Sequence, residues 1–391
     1  MSGNEEKAYA YWFYNVPGMG GKKGRQLYEK MQSGKEIYDA SEKKLLAYTD
    51  AKTAERIVRS RETWDILAEY ESLKQQKIQI TAYGLEDYPE KLLFLEDAPA
   101  VLYYKGRLPR THTPSVAIIG ARMCSEYGRK VAAWFGSKLG ERGIQIISGM
   151  AMGIDGISQE AALHAGGESY GILGCGVDIC YPQSNAGLYE RLLLQGGIIS
   201  EYAPGTMPKP QLFPPRNRII SGLADLVLVI EAKEKSGTFI TVDMALEQGR
   251  EVYVVPGRIT DALSRGCLKL MKQGAGAALS PEDILDALYI VETDETGNKQ
   301  SPLSHEMITE EENQENHFRK WNMTEAEKLL YSLLDENPRG LDDIHYDFKK
   351  RLIPPEKYGL EGNIRETMGL LIDLSIKGLA EQIEVGMFRK I

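Results

Sequence analysis

The chain has 391 residues, 42% of them hydrophobic and 26% charged, enough for two or three globular domains. Its 47 basic and 56 acidic side chains leave a formal charge of −9, which excludes a protein coated in polyanion by bulk charge but leaves room for a local basic groove. No apolar run approaches the roughly 20 residues of a membrane span, and MSGNEEKAYAYW lacks the basic-then-apolar pattern of a secretory leader, so the expected compartment is the cytoplasm. Cys124, Cys175, Cys180 and Cys267 form no CxxC pair and have no histidine at ligand spacing, so they read as packed, reduced thiols, with no metal site.

Residues 1–85 read as a helical domain. Within it, NVPGMGGKKGRQLYEKM (15–31) places glycines around Met19 ahead of a basic, amphipathic segment, the pattern of a helix-hairpin-helix or SAM-like turn. Glycines there let the chain bend tightly and aim backbone N–H groups at a phosphate. A ligand-free helix–helix connection, with Lys22, Lys23 and Arg25 as a solvated face, fits the same residues. EDYPEKLLFLEDAPAVLYYKG (86–106) reads as a lead-in with one short strand, opening a domain that runs to 290.

From 115 onward, continuous apolar runs alternate with helical patterns. The strand candidates are SVAIIG (115–120), IQIISG (144–149), SYGILG (169–174), GIIS (197–200), LVLVIEA (226–232) and EVYVVP (251–256). Helical patterns such as 126–143 and 238–250 separate them. Apolar strands alternating with helices predict an α/β, Rossmann-like, doubly wound and mostly parallel sheet covered on both faces. Residues 291–316, with eight acidic residues and one lysine, read as an acidic linker. Residues 317–391 suggest three helices and a terminal hairpin, a winged-helix-like domain. Its 12 basic and 13 acidic residues give no strong phosphate-binding face, which favours a protein-contact or vestigial role over DNA binding.

Ligands of open parallel sheets bind beyond the carboxyl ends of the strands. Here those ends carry Gly120 and Arg122, then Ser148, Gly149 and Gly153, then Gly174 and Gly176, and finally Ser236, Gly237 and Thr238 at a helix start. Glycine permits close backbone approach, and helix N-termini present free N–H groups, so the edge reads as an anion shelf. GxGxxG does not follow the first strand and GxxxxGK[ST] is absent, so neither a dinucleotide nor a P-loop nucleotide is indicated, and no cofactor is expected. His164 is isolated, Asp155 and Asp178 read as helix caps or loop braces, and no GxSxG elbow occurs. Such a shelf without a catalytic set suggests a bound polyanion rather than turnover.

FPPRNRIISGL (213–223) adds Phe213, Arg216, Asn217 and Arg218. On a helix the two arginines diverge by about 200°, so one faces the groove and the other braces a carboxylate; in an extended segment they share a side. Phe213 among prolines reads equally as an exposed ring or a core plug.

Taken together, IIGARMCSEYG, ISGMAMGIDGISQEAAL, GILGCGVDICYPQSN, the block from ISEYAPG through RNRIISGLADLVLVIEAKEKSGTFIT to VYVVPG, and SRGCLKLMKQGA resemble the DNA-processing protein A family, DprA, also called Smf. That resemblance spans about 115–280 and implies a bacterial single-stranded DNA-binding protein. Such proteins protect incoming DNA during natural transformation, help load the RecA recombinase, act as homodimers and have no established catalytic role. It places Arg122 in the loop after the first strand, Phe213 where an aromatic stacks on a base, and Arg216-Asn217-Arg218 in an RNR block. The sequence departs from the family at Pro210, where a lysine is common and Lys209 lies one step earlier. It also departs at Ala121, Gln159 and Cys267, where serine, histidine and asparagine are frequent. A competing reading is an enzyme acting on a nucleotide or phosphoribosyl compound, but Lys235-Ser236-Gly237-Thr238 stands where the PGGxGT loop of nucleotide phosphoribohydrolases would be. A protein-interaction module without nucleic acid is the third.

Overall fold

The computed structural model describes residues 3–288, 323–335, 337–352, 362–384 and 386–390. The acidic linker expected at 291–316 lies outside them. The chain divides into two units, one within 1–300 and one within 301–391.

The first unit opens with six helices: α1 (Gly3–Asn15), α2 (Lys22–Met31), α3 (Gly34–Asp39), α4 (Glu42–Leu46), α5 (Ala51–Thr63) and α6 (Ile66–Gln75). Ser33, Ser41, Asp50 and Asp65 cap the last four of these, each side chain accepting from amides of the first turn. Trp12, Phe13, Tyr28, Ile37 and Ile57 fill the helical core. That core continues without a break onto the sheet through Ile80, Val101 and Tyr103. The Asn15 side chain donates to the Tyr103 hydroxyl at 2.9 Å, and the Tyr14 hydroxyl donates to the Tyr83 carbonyl at 3.1 Å.

A nine-stranded sheet follows: β1 (Gln79–Ala82), β2 (Val101–Gly106), β3 (Ser115–Ile119), β4 (Gln145–Ser148), β5 (Ser169–Ile172), β6 (Gly196–Ser200), β7 (Leu226–Val229), β8 (Glu251–Val254) and β9 (Gly276–Ala277). The spatial order is β1-β2-β6-β5-β4-β3-β7-β8-β9. From β6 to β9 every pairing is parallel, whereas β1 and β2 add an antiparallel margin. The six apolar runs of the sequence are all strands. β1 was not among the expected elements and lies inside the stretch expected to be helical; QITA is too short to show a period of its own and is fixed by pairing with β2.

Both faces of the sheet are covered. Alternate residues of β3 and β7 divide between two cores: Val116, Ile118, Leu226 and Leu228 face one, while Ala117, Ile119, Val227 and Val229 face the other. After the short α7 (Glu90–Leu93), the first core receives α8 (Glu126–Glu141) and α9 (Ile154–His164). α10 (Ala186–Gln195) joins the helical core. The second core receives α11 (Phe213–Leu223), α12 (Thr238–Glu247) and α13 (Arg265–Lys272), and α14 (Pro281–Ala287) returns to the first. All four cysteines are free thiols, and Cys175 and Cys267 are buried.

In the second unit, helices Glu325–Tyr331, Leu341–Arg351 and Ile364–Ile376 pack with a three-stranded antiparallel sheet around Leu330, Phe348, Leu371 and Phe388. Thr324 with Glu327, and Asn363 with Glu366, form capping boxes on the first and third of these helices. No helix of the described residues is long and apolar enough to cross a membrane.

The lead-in is clasped to the parallel sheet by one carboxylate. Asp225 accepts from Lys91 Nζ at 2.7 Å and from the Ser115 amide at 2.9 Å, while Lys91 also donates to Ser115 Oγ at 2.8 Å. Asp225→Ala leaves the covered Ser115 amide without its acceptor and Lys91 without its carboxylate, and the expected cost is about 1–3 kcal/mol, read as a lower urea midpoint; an unchanged midpoint would show that the clasp is dispensable.

Candidate functional site

In chain order the sheet grows from β3 through β4, β5 and β6 on one side, then returns to place β7, β8 and β9 on the other. The loops leaving β3 and β7 therefore diverge at neighbouring strand ends, which creates a crevice at the reversal. A cleft of about 560 Å³ lies there. The β3 loop lines it with Gly120, Ala121 and Arg122; α11 and the turn before it contribute Pro210, Phe213, Arg216 and Asn217; the start of α12 contributes Ser236, Gly237 and Thr238. Tyr181 and Asp155 also line it.

Eight of the sequence-selected residues meet here: Gly120, Arg122, Phe213, Arg216, Asn217, Ser236, Gly237 and Thr238. The other five do not line the cleft. Ser148 is buried and donates to the Ile118 carbonyl at 2.7 Å. Gly149 lies beneath Arg216, where an added Cβ would come within 2.8 Å of both the guanidinium and the Asp155 carboxylate. Gly153 precedes α9 with φ 77°, and a Cβ there would sit 2.2 Å from the Ala121 carbonyl. Lys209 is exposed one residue before the lining Pro210. Arg218 is held by Glu201 through two parallel bonds of 2.8 and 2.6 Å, and by Asp97.

The RNR block is helical, which fixes the divergence of its arginines. Arg218 braces carboxylates. Arg216 lies on the floor of the cleft, 5% exposed, and its Nη1 donates to the carbonyls of Gly149 (3.0 Å) and Ile172 at the ends of β4 and β5. Burial lowers its pKa to about 10, opposed by the Asp155 carboxylate, so it stays charged at neutral pH. Burial likewise raises the Asp155 pKa, opposed by Arg216 and by the Gly149 amide, which donates to Asp155 at 3.1 Å. Arg122, by contrast, is exposed, with its guanidinium 6.0 Å from the Phe213 ring centre.

Phe213 is half-buried, and a Cβ on Gly174 would reach within 2.7 Å of its ring. The Arg216 guanidinium is 5.9 Å from its centre and the Tyr181 ring 5.6 Å. At the opposite wall the N-terminus of α12 has no side-chain cap, and the covered Ser236 hydroxyl has no hydrogen-bond partner. Unpaired donors at a helix start, beside a free guanidinium and aromatic rings, suit a ligand that carries both phosphates and planar bases.

Three contributors escaped sequence reasoning as parts of the site. Tyr181 follows the glycine-rich end of β5 and precedes a proline; an aromatic in a strand-end loop was the available signal. Glu231, buried at the end of the β7 run, accepts from the Ser125 amide at 2.9 Å and from its hydroxyl, which pins the loop bearing Arg122. Gln159 uses its whole amide: it accepts from Met150 and donates to Ser169 and Tyr170, all at 3.1 Å. At the glycine turn before α2, Lys22 pairs with Glu96, Lys23 pairs with Asp50, and Arg25 donates to the Glu96 carbonyl.

A family model for DNA recombination-mediator protein A matches residues 79–289. The DNA processing protein DprA of Streptococcus pneumoniae is 42% identical over 198 residues, 51% of this chain and 70% of that protein. Protein Smf of Escherichia coli is 42% identical over 217 residues, 55% of this chain and 58% of that protein. The X-ray structure of the Streptococcus pneumoniae DNA processing protein A superposes with a TM-score of 0.63 at 32% identity, covering 71% of this chain and 97% of that one.

One prediction concerns the Arg218 brace and one the floor of the cleft. Removing Glu201 leaves Arg218 largely buried with two backbone carbonyls and, as countercharge, the exposed Asp97, so Glu201→Ala should cost about 3–5 kcal/mol in chemical denaturation; a loss below about 1 kcal/mol would mean that Arg218 finds water. Asp155 has a raised pKa in the fold, so its proton stabilises the protein at acid pH and that contribution is lost as pH rises through the raised value. The stability of the wild type relative to Asp155→Asn should therefore fall between acid and neutral pH, and a difference flat in pH would contradict the assignment.

Proposed function

The chain belongs to the DNA recombination-mediator protein A family, and from that premise we propose that it binds single-stranded DNA in the cleft between the β3 and β7 loops, without transforming it. The observation that carries this reading is the meeting of an exposed guanidinium, an uncapped helix start and an aromatic pair in one crevice. Arg122 and the α12 amides answer phosphates, and the aromatic wall answers bases. In a duplex the base faces are already stacked, so they cannot reach such a wall.

We further propose that it protects incoming DNA in transformation and delivers the strand to RecA, as a homodimer in the cytoplasm; the family description of a DNA recombination mediator supports the recombination part of this reading. The domain scheme proposed with it keeps the helical start, the Rossmann-like centre and a winged-helix-like end used for protein contact. Ile372 and Ile376 on the exposed face of the third helix of that end favour contact with protein over DNA.

An anisotropy titration of labelled poly-dT against the matching duplex, at two salt concentrations, tests the reading. Single strand should bind more tightly, with affinity falling as salt rises. Arg122→Ala should weaken it roughly tenfold or more and flatten the salt slope by about 0.7 for each phosphate no longer neutralised. Equal affinity for duplex, or an Arg122→Ala variant that binds like the wild type, would count against the site. Release of free base from a mononucleotide would favour an enzyme at the same sheet edge.

A further inference from the structure

We propose that the helix Ile364–Ile376 pairs antiparallel with the same helix of a second copy of this chain, about a twofold axis at Gly369; this rests on the protein-contact reading of that end. One face of the helix packs into its own unit, where Thr367, Leu371 and Leu374 are buried. At about 100° per residue the opposite face carries Arg365, Gly369, Ile372, Asp373 and Ile376 within an arc of about 100°. All five are exposed, Ile372 at 47% and Ile376 at 79%.

Three features of that face work against the helix on its own. Gly369 stands in mid-helix, where glycine weakens the structure relative to alanine, yet an added Cβ would meet nothing within 4 Å. Its own unit gives no reason for the missing side chain. Arg365 lies in the first turn and Asp373 in the last, each at the end of the helix dipole that carries its own sign. Neither side chain has a partner among the described residues. Ile372 and Ile376 leave apolar surface in water.

A second copy laid antiparallel answers all three. Arg365 and Asp373 stand four residues to either side of Gly369, which is about 6 Å along the helix axis. Reversing the second copy about Gly369 brings Arg365 to the partner's Asp373 and Asp373 to the partner's Arg365, so each helix end also gains the charge its dipole favours. Glycine at the crossing lets the two backbones approach, and the isoleucines of both copies close over it. A parallel copy would set like charges against each other, so the charges select the direction. Arg365, Glu366, Asp373 and the C-cap Lys377 sum to zero, which gives a phosphate backbone nothing to follow.

The patch is small beside the roughly 1,200–2,000 Å² of a stable free-standing interface, so the pair is weak and is read by disulfide trapping. Arg365→Cys and Asp373→Cys full chains, each folded by its thermal midpoint, are oxidised separately and as an equal mixture, then compared on a non-reducing gel. The mixture should yield roughly fivefold or more covalent dimer than either variant alone, because only the mixed pair sets the two thiols face to face. The native thiols, common to all three samples, give the background. Gly369→Leu added to both chains should remove the excess, and an excess that survives it overturns the axis at Gly369. A mixed yield no greater than the separate yields overturns the pairing. Anisotropy of Arg365→Asp with oligo-dT and with duplex then separates the two readings. Affinities equal to the wild type leave the protein-contact reading standing without the pairing, whereas loss of either affinity overturns both.

Discussion

The chain lays three strands on one side of β3 and then crosses back to lay three on the other, and the geometry of the site depends on that reversal. The helix that follows β3 packs against one face of the sheet, and the helix that follows β7 packs against the opposite face. The two connections must part, and no helix can close the gap between them. A crevice is therefore a property of the topology, and the side chains decide what it holds.

Two buried ions keep the crevice in shape. Glu231 ties the β3 loop to the end of β7 through Ser125, and Gly128 is required beside it because a Cβ would collide with the carboxylate at 2.3 Å. Arg216 spans the ends of β4 and β5 by their carbonyls. Both ions act on backbone that the ligand-facing residues grow from. The exposed groups, Arg122 and Tyr181, are thus carried on loops whose positions are set from below.

Much of this was legible in the sequence because the parallel strands are apolar on both faces and so stand out as continuous runs. The site edge was legible for a related reason: tight turns after strands need glycine, and glycines in a row at strand ends mark the edge. What the sequence could not separate was direction. Arg216 and Arg218 have the same chemistry two residues apart, and only the helical register and the positions of Glu201 and Gly149 assign one to the floor of the cleft and the other to a brace. Ser148 and Gly149 were chosen for their place at a strand end; Ser148 turns its hydroxyl onto the Ile118 carbonyl, and Arg216 occupies the space above Gly149. Tyr181 was hidden because its partner ring is 32 positions away and comes close only through the fold. β1 was hidden because its four residues owe their conformation to β2.

The floor of the cleft holds a guanidinium whose charge is met by one carboxylate that would itself rather be neutral. If a strand binds there as proposed, its phosphates would add countercharge, and because such a ligand favours the folded form the loaded protein would resist heat better than the empty one, by an amount that grows with ligand concentration. Strand capture would in this way also protect the captor.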